Sequence, residues 1–279
     1  MAVSAASLYA SKFMKYILIR GGGDLASGVA LRLHHSGFNV IIAELPNPLA
    51  VRRTVSFSEA IYEGEIMIEG LSARRADSPV EAFDLVRLGA IPVLIDPQAG
   101  ILKEGNFPVL IDARLLKYKA DTNITSAPLV IGLGPGFICG ENCHAVVETQ
   151  RGHYLGRLYW SGSASDDTGQ PEGDPRRVLR ASVSGILTGQ AKIGDRVSIG
   201  QIIADVEGEK ITAPIDGVLR GLIRPGVSIQ KGMKIGDIDP RNDPSFCLTV
   251  SDKALSISGG VLEAILSKSE LFESTISIG

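Results

Sequence analysis

The first 150 residues alternate between short apolar runs and stretches in which apolar positions recur every three or four residues. Residues 15–20, KYILIR, form an apolar run with β-branched members and predict a buried strand. Residues 27–36 carry Val29, Ala30, Leu31 and Leu33 at helical spacing, and Gly37 is placed to end that helix. Residues 38–43 predict a second strand, closed by Glu44. The alternation continues with strands at 65–69, 91–95, 109–111 and 129–133. A helix at 79–88 is opened by Asp77 or Ser78. Several strands end in acids or glycines, as at Asp96, Asp112 and the 132–136 turn. In open α/β sheets the carboxyl edge is where ligands bind.

The second half changes rhythm. Shifting residues 181–206 by 32 lays them on 213–238 with eight identities in 26 positions and no gap. Four are glycine pairs, Gly185/Gly217, Gly189/Gly221, Gly194/Gly226 and Gly200/Gly232, and Asp205 meets Asp237. Two copies are too few for a solenoid. Very short strands between the glycines predict a small all-β unit with a pseudo-two-fold axis. Its wording resembles the biotinyl/lipoyl barrel-sandwich fold, in IGDRVSIGQ at 193–201 and APIDGV at 213–218. The nearby Lys210 lies too close to Ala213 and lacks the flanking residues of a carrier lysine, so covalent biotin or lipoate is not expected.

The expected class is therefore an α/β Rossmann-like N-terminal domain plus a small all-β barrel-sandwich (biotinyl/lipoyl-like) C-terminal domain. The expected boundaries are 12–142 for the first domain and 143–180 for a connecting β segment with a polar loop. The barrel-sandwich follows at 181–240, and 241–279 is a tail with a helix near 260–268 that could dock on either domain.

Composition narrows the functions. Of 279 residues 32 are glycine, well above the usual share, and they follow no collagen period. The 28 basic and 31 acidic residues leave a net charge of −3, without the basic footprint of a nucleic-acid binder. The longest uncharged run, 122–140, holds two prolines and several glycines, so a membrane helix is not expected. Three cysteines give no disulfide framework, and residues 1–11 carry no basic residue, unlike a signal peptide. These features predict a cytoplasmic protein and leave room for a homo-oligomer.

Four groups of residues carry candidate chemistry. The turn GGGDLA at 21–26 fits G-x-G-x-x-G/A with Gly21, Gly23 and Ala26 in its three slots. With Gly22 and Asp24 it offers a helix N-terminus to a phosphate, and Glu44 stands where an acid accepts ribose hydroxyls. The alternative is a strand-turn-helix unit whose loop binds no nucleotide. Gly134 and Gly136 form either a second wall of the crevice or a plain tight turn. Cys139, Cys143 and His144 form a C-x3-C-H cluster, a weak candidate for metal or sulfur handling, with idle cysteines as the alternative. Glu148 and His153 flank a turn and are weak candidates for proton transfer; the alternative is a solvated polar turn. The pairs Arg52-Arg53 and Arg74-Arg75 could each meet a phosphate or face solvent.

The blocks IRGGGDLASGVALRLHHSGFNVIIAE, RRTVSFSEAIYEGE, IGLGPGF, HAVVETQRGHYLGR, GVLRGLI and KIGDIDPR, running from about Lys15 to Leu266, resemble one family. It is the YqeB family of accessory proteins of the selenium-dependent molybdenum hydroxylase system. The N-terminal part is also similar to the Rossmann domain of XdhC/CoxI-type maturation factors, which help insert or sulfurate the molybdenum cofactor. The resemblance implies a maturation factor partnered by a molybdenum hydroxylase and its machinery. It would bind the molybdenum cofactor or its dinucleotide form in the Rossmann crevice. An NAD-dependent oxidoreductase and a scaffold protein with no small ligand are the rival readings.

Overall fold

A computed structural model describes residues 14–169 and 173–272 of the chain. The leader reading made on residues 1–11 lies outside them. Nine strands form one mixed sheet. In chain order they are β1 (Lys15–Arg20), β2 (Val40–Glu44), β3 (Glu65–Ile68), β4 (Leu71–Ala76), β5 (Ile91–Ile95), β6 (Asn106–Asp112), β7 (Leu129–Leu133), β8 (Ala145–Val147) and β9 (Leu158–Tyr159). Their order across the sheet is β3-β4-β5-β2-β1-β6-β7-β8-β9. The strands from β4 to β8 run parallel, and β3 and β9 pair antiparallel at the two edges.

Both faces of the sheet are covered, which is why its central strands read as unbroken apolar runs. Ile17, Ile19, Ile42 and Ile111 point into one core and Tyr16, Leu18, Ile41 and Leu110 into the other. Helix α1 (Asp24–His35) lies on the first face, ended as expected by Gly37 at φ 87°. The one-turn helix α2 (Ala60–Glu63) follows. Helix α3 (Pro79–Arg87) lies on the second face. Ser78, not Asp77, caps it by accepting a hydrogen bond from the Glu81 N–H. Helix α4 (Asp252–Leu266) returns to the first face and packs along α1. Among the described residues no helix is long and apolar enough to cross a membrane.

The small unit contains two four-stranded antiparallel sheets. Its strands are β10 (Val178–Arg180), β11 (Gly185–Gly189), β12 (Arg196–Val197), β13 (Ile202–Val206), β14 (Glu209–Thr212), β15 (Gly217–Leu222), β16 (Ser228–Ile229) and β17 (Lys234–Asp239). The sheets are ordered β10-β17-β15-β12 and β14-β13-β11-β16. The 32-residue repeat maps β12 onto β16, and its paired glycines share backbone conformations. Gly194 and Gly226 have φ 100° and 88°, and Gly200 and Gly232 have φ 81° and 84°, which an L side chain would resist.

The expected Rossmann-like plus barrel-sandwich class is corrected by this topology. The large sheet is mixed, carries antiparallel strands at both edges and extends past residue 142 through β8 and β9. Beside α1 lies a helix from the chain's end rather than a crossover between strands. The small unit is two separate antiparallel sheets, and β10 enters it before residue 181. The expected 260–268 helix begins eight residues earlier, at Asp252, and docks on the large unit. A strap joins the units. The Leu222 N–H donates to the Val51 carbonyl at 2.8 Å, and Arg53 Nε donates to the Leu222 carbonyl at 2.8 Å. Gly221 permits this approach, since a Cβ there would stand 2.8 Å from Val51.

Candidate functional site

The glycine turn is engaged largely by its own chain. The Gly22 N–H donates to Glu44 Oε2 at 2.6 Å, and the Leu45 N–H donates to Glu44 Oε1 at 2.7 Å. Burial raises the Glu44 carboxyl above its ordinary value, against the pull of these two donors. Ser58 lies over the turn. Its N–H donates to the Gly22 carbonyl at 2.9 Å, and a Cβ on Gly22 would stand 3.0 Å from the Ser58 nitrogen. Ser27 Oγ fastens the same segment by accepting from the Phe57 N–H at 2.7 Å. Gly21, at φ 90°, sits against Ala113 and Arg114, and Ala26 is buried in the helix-sheet core. Gly23 differs from its neighbours. It has an ordinary φ of −66°, and a Cβ there would meet nothing within 4 Å.

Gly134 and Gly136 are likewise packed by their own chain. A Cβ on Gly134 would stand 2.9 Å from Thr149 Oγ1, and one on Gly136 would stand 2.6 Å from the Tyr118 carbonyl. Cys139 and Cys143 are joined by a backbone bridge ahead of β8, and Cys139 Sγ lies 3.5 Å from the Tyr159 carbonyl of β9. Burial pushes the Cys143 thiol up to about 12, with the Cys139 thiol adding to the shift, and burial raises Cys139 as well. Raised thiols are poor nucleophiles at neutral pH. His144 Nδ1 accepts the Val130 N–H at 2.9 Å, so the ring serves the backbone. Among the described residues no group of three or more His, Cys, Asp or Glu is arranged to hold a metal ion.

Glu148 and His153 are not brought together as an acid-base pair. His153 is exposed with its ring against Tyr154. Glu148 is buried and accepts from the Gln150 N–H at 2.7 Å and the Ser165 N–H at 2.8 Å. Burial raises its carboxyl, but these backbone donors prevail and hold it below the ordinary value. A depressed carboxyl contributes stability above its unfolded value and loses it as pH falls through the folded one. Glu148→Gln is therefore expected to cost about 1–3 kcal/mol near neutral pH. In urea unfolding the gap to the parent should narrow on acidification from about pH 7 to about pH 3; an unchanged gap would contradict this role.

A cleft of about 650 Å³ lies between the units, bounded by Asp24 and Leu25 at the start of α1, Pro135 and Thr149 at strand ends, and Ser251 to Lys253 at the start of α4. Its size suits a small-molecule site. The polar loop expected as a linker forms another wall through Ser165 to Thr168. Ion pairs line it: Arg151 with Asp252 at 2.6 Å, Arg177 with Asp237 at 2.8 Å, and Arg241 with Asp239 at 2.5 Å. Burial raises the Asp239 carboxyl, but the Arg241 hydrogen bonds outweigh it and leave the group lowered.

Two cleft arginines are less completely served. Arg52 is 8% exposed and reaches Asp24 at 3.3 Å and the Phe246 and Thr249 carbonyls at 3.0 and 3.2 Å. Arg220 lies 3.5 Å from Asp239. Each keeps a buried Nε with no hydrogen-bond partner. Burial, and then the neighbouring Arg52 charge, lower the pKa of Arg220. Arg52, buried, and Arg220, whose side chain is 12% exposed, both line the cleft and repel one another, a pairing that fits an oxyanion. Of the sequence candidates Asp24 and Arg52 line this cleft. Arg220, Asp237, Asp239 and Arg241 were missed as site residues, although the repeat and the KIGDIDPR block contain them. Arg74 and Arg75 lie within β4 and pair with Glu65 and Asp77, away from the cleft.

Comparison with known proteins adds one substantial match. The chain is 46% identical over 254 residues to a protein of Escherichia coli (strain K12) described as "Uncharacterized protein YqeB". The match covers 90% of this chain and 47% of that protein, so the chain spans about half the length of this curated relative. No protein-family model matches the chain. Among solved structures, the apo ectoine utilization protein EutE (DoeB) from Ruegeria pomeroyi gives a TM-score of 0.24 at 11% identity, covering 80% of this chain and 87% of that one. A succinylglutamatedesuccinylase/aspartoacylase from Rhodobacter sphaeroides gives 0.24 at 11% identity, covering 81% and 86%. At these scores neither likeness bears on function.

Proposed function

The chain belongs to the YqeB family, and from that premise we propose that it is an accessory protein of the molybdenum hydroxylase system that binds a phosphate-bearing cofactor in the cleft between its two units. The observation that carries the binding site is the pair of neighbouring guanidiniums, Arg52 and Arg220, on the wall of a cavity of about 650 Å³. The molybdenum cofactor carries a phosphate and its dinucleotide form a pyrophosphate, groups that arginine forks recognise. Arg52 and Arg220 would hold that anionic end. Thr149, Gln150 and Ser165 would offer hydrogen bonds to the rest. Gly23 stands open at the start of α1, beside the cleft residues Asp24 and Leu25, and leaves room for a ligand to approach the helix N-terminus.

Calorimetric titration with molybdopterin cytosine dinucleotide, inorganic pyrophosphate and NAD tests the proposal. The first two are expected to bind and NAD to bind more weakly. Arg220→Gln is expected to weaken binding about tenfold or more, corresponding to about 1.4 kcal/mol. Asp239 keeps its Arg241 partner in that variant, so the fold should survive. Gly23→Val meets no steric obstacle and measures how close the ligand comes to the helix. Submicromolar NAD binding without binding of the molybdenum cofactor would overturn the reading. A molybdenum hydroxylase is the proposed partner, tested by co-purification from the native host.

A further inference from the structure

We infer that the crevice between β1 and β6 is a second oxyanion site, kept closed by the protein's own Asp121. It is separate from the cleft and does not rest on the function proposed above. The chain leaves β1 toward β2 on one side and leaves β6 toward β7 on the other, so these two connections run in opposite directions. The carboxyl ends of such strands border a crevice where ligands bind. Arg20 ends β1 and Arg114 follows β6 by two residues. Both guanidiniums reach the same oxygen of Asp121: Arg20 Nη1 lies 3.5 Å from Oδ1, and Arg114 Nη2 donates to Oδ1 more closely.

Every other contact of the two arginines is internal. Arg114 Nε donates to Asp112 Oδ1 at 2.9 Å and its Nη2 to Asp112 Oδ2 at 2.6 Å. Arg20 Nη1 donates to Thr122 Oγ1 at 2.9 Å and its Nη2 to the Pro97 carbonyl at 2.9 Å. Thr122 Oγ1 donates in turn to Asp112 Oδ2. Asp112 is wholly buried and Arg20 is 7% exposed, whereas the Asp121 side chain is 62% exposed. The two guanidiniums and Asp112 together carry one net positive charge, and Asp121 cancels it from the solvent side. The hydrogen bond from Arg114 holds the Asp121 carboxyl below its ordinary value, so it is ionised at neutral pH.

The backbone on either side of Asp121 is anchored. Ala120 and Thr122 are buried, and the Ala120 N–H donates to the Gly136 carbonyl at 2.9 Å. The carboxylate can therefore turn outward by side-chain rotation, leaving a preset two-arginine fork. A terminal carboxylate or phosphate of a small molecule presents the same oxygens to that fork. Asp121 acts as an internal competitor that lowers the apparent affinity for such a ligand.

The test uses the full chain, with inorganic phosphate and acetate as probes and chloride at matched ionic strength as the control. Asp121→Ala is expected to bind phosphate or acetate at least about tenfold more tightly than the parent, seen as a saturable rise in Tm that chloride does not give. A stronger response to phosphate identifies a phosphoryl ligand, and a stronger response to acetate a carboxylate. Adding Arg114→Gln to Asp121→Ala should abolish the response. Asp121→Asn, which keeps the side-chain shape, gives the same reading if the alanine variant does not fold. Equal responses of parent and variants, or a rise matched by chloride, would overturn the inference.

Discussion

Asp112→Ala is expected to cost about 3–5 kcal/mol, the range measured when one partner of a buried ion pair is removed. Asp112 is wholly buried at the end of β6 and is paired in register with Arg20 across the centre of the sheet. It accepts from Arg114 through the backbone N–H, Nε and Nη2, and from the Thr122 hydroxyl. Arg20 Nη1 lies 3.8 Å away. Without the carboxylate, two guanidiniums and a hydroxyl lose their common acceptor where water reaches poorly. Most of the cost is this uncompensated desolvation rather than lost attraction. The triple variant Asp112→Leu, Arg20→Met, Arg114→Met is therefore expected to recover part of the loss. Chemical denaturation of both variants checks the argument. A loss below about 1 kcal/mol for Asp112→Ala would mean that the network does not hold the sheet's centre together.

Adjacent glycines in α4 are expected to respond in opposite directions. A Cβ on Gly260 would stand 2.2 Å from the Gly156 carbonyl oxygen and 3.0 Å from Val147. A Cβ on Gly156 would stand 2.4 Å from the Ser256 carbonyl oxygen, so helix and turn meet backbone to backbone. On its other side the helix touches α1, where a Cβ on Gly28 would lie 2.6 Å from the Ala254 methyl. With contacts on both sides the helix cannot slide to make room. Gly260→Val should cost about 3 kcal/mol or more, at the upper end for overpacking. Gly259 meets nothing within 4 Å, so Gly259→Ala should add about 0.5–1 kcal/mol by favouring the helix. Thermal unfolding of the two variants reads both signs. A Gly260→Val protein as stable as the parent would show that α4 is loosely seated.

The central strands were legible because both faces of the sheet are buried, which leaves unbroken apolar runs at β1, β2, β5 and β7. The repeat was legible because its turns need positive φ, and glycine marks each such position twice. Strand β4 was not legible, since LSARRA carries two arginines exposed near the sheet's edge. The start of α4 was hidden in a Ser- and Gly-rich stretch, where small residues serve close packing rather than a turn. The glycine turn shows a different limit. Its spacing is the same whether the close neighbour is a phosphate or the chain's own Ser58, and only the three-dimensional structure tells these apart. The cleft had no local signature, because Arg52, Arg151, Arg220 and Arg241 are far apart in sequence.

The two halves of the small unit exchange strands. Strand β12 of the first half pairs with β15 of the second, and β16 of the second pairs with β11 of the first. Each half thus completes the other's sheet, in the manner of a domain-swapped dimer written on a single chain. A peptide spanning one half would present an open edge and would find its missing strand in another copy of itself. The repeat also places two equivalent aspartates in different surroundings. Asp205, near the end of β13, braces the following turn by accepting the Gly208 N–H at 2.8 Å. Its counterpart Asp237 was drawn inward by Arg177, a residue from outside the repeat, onto the wall of the cleft. The same repeat position thus braces a turn in one half and forms part of the cleft wall in the other.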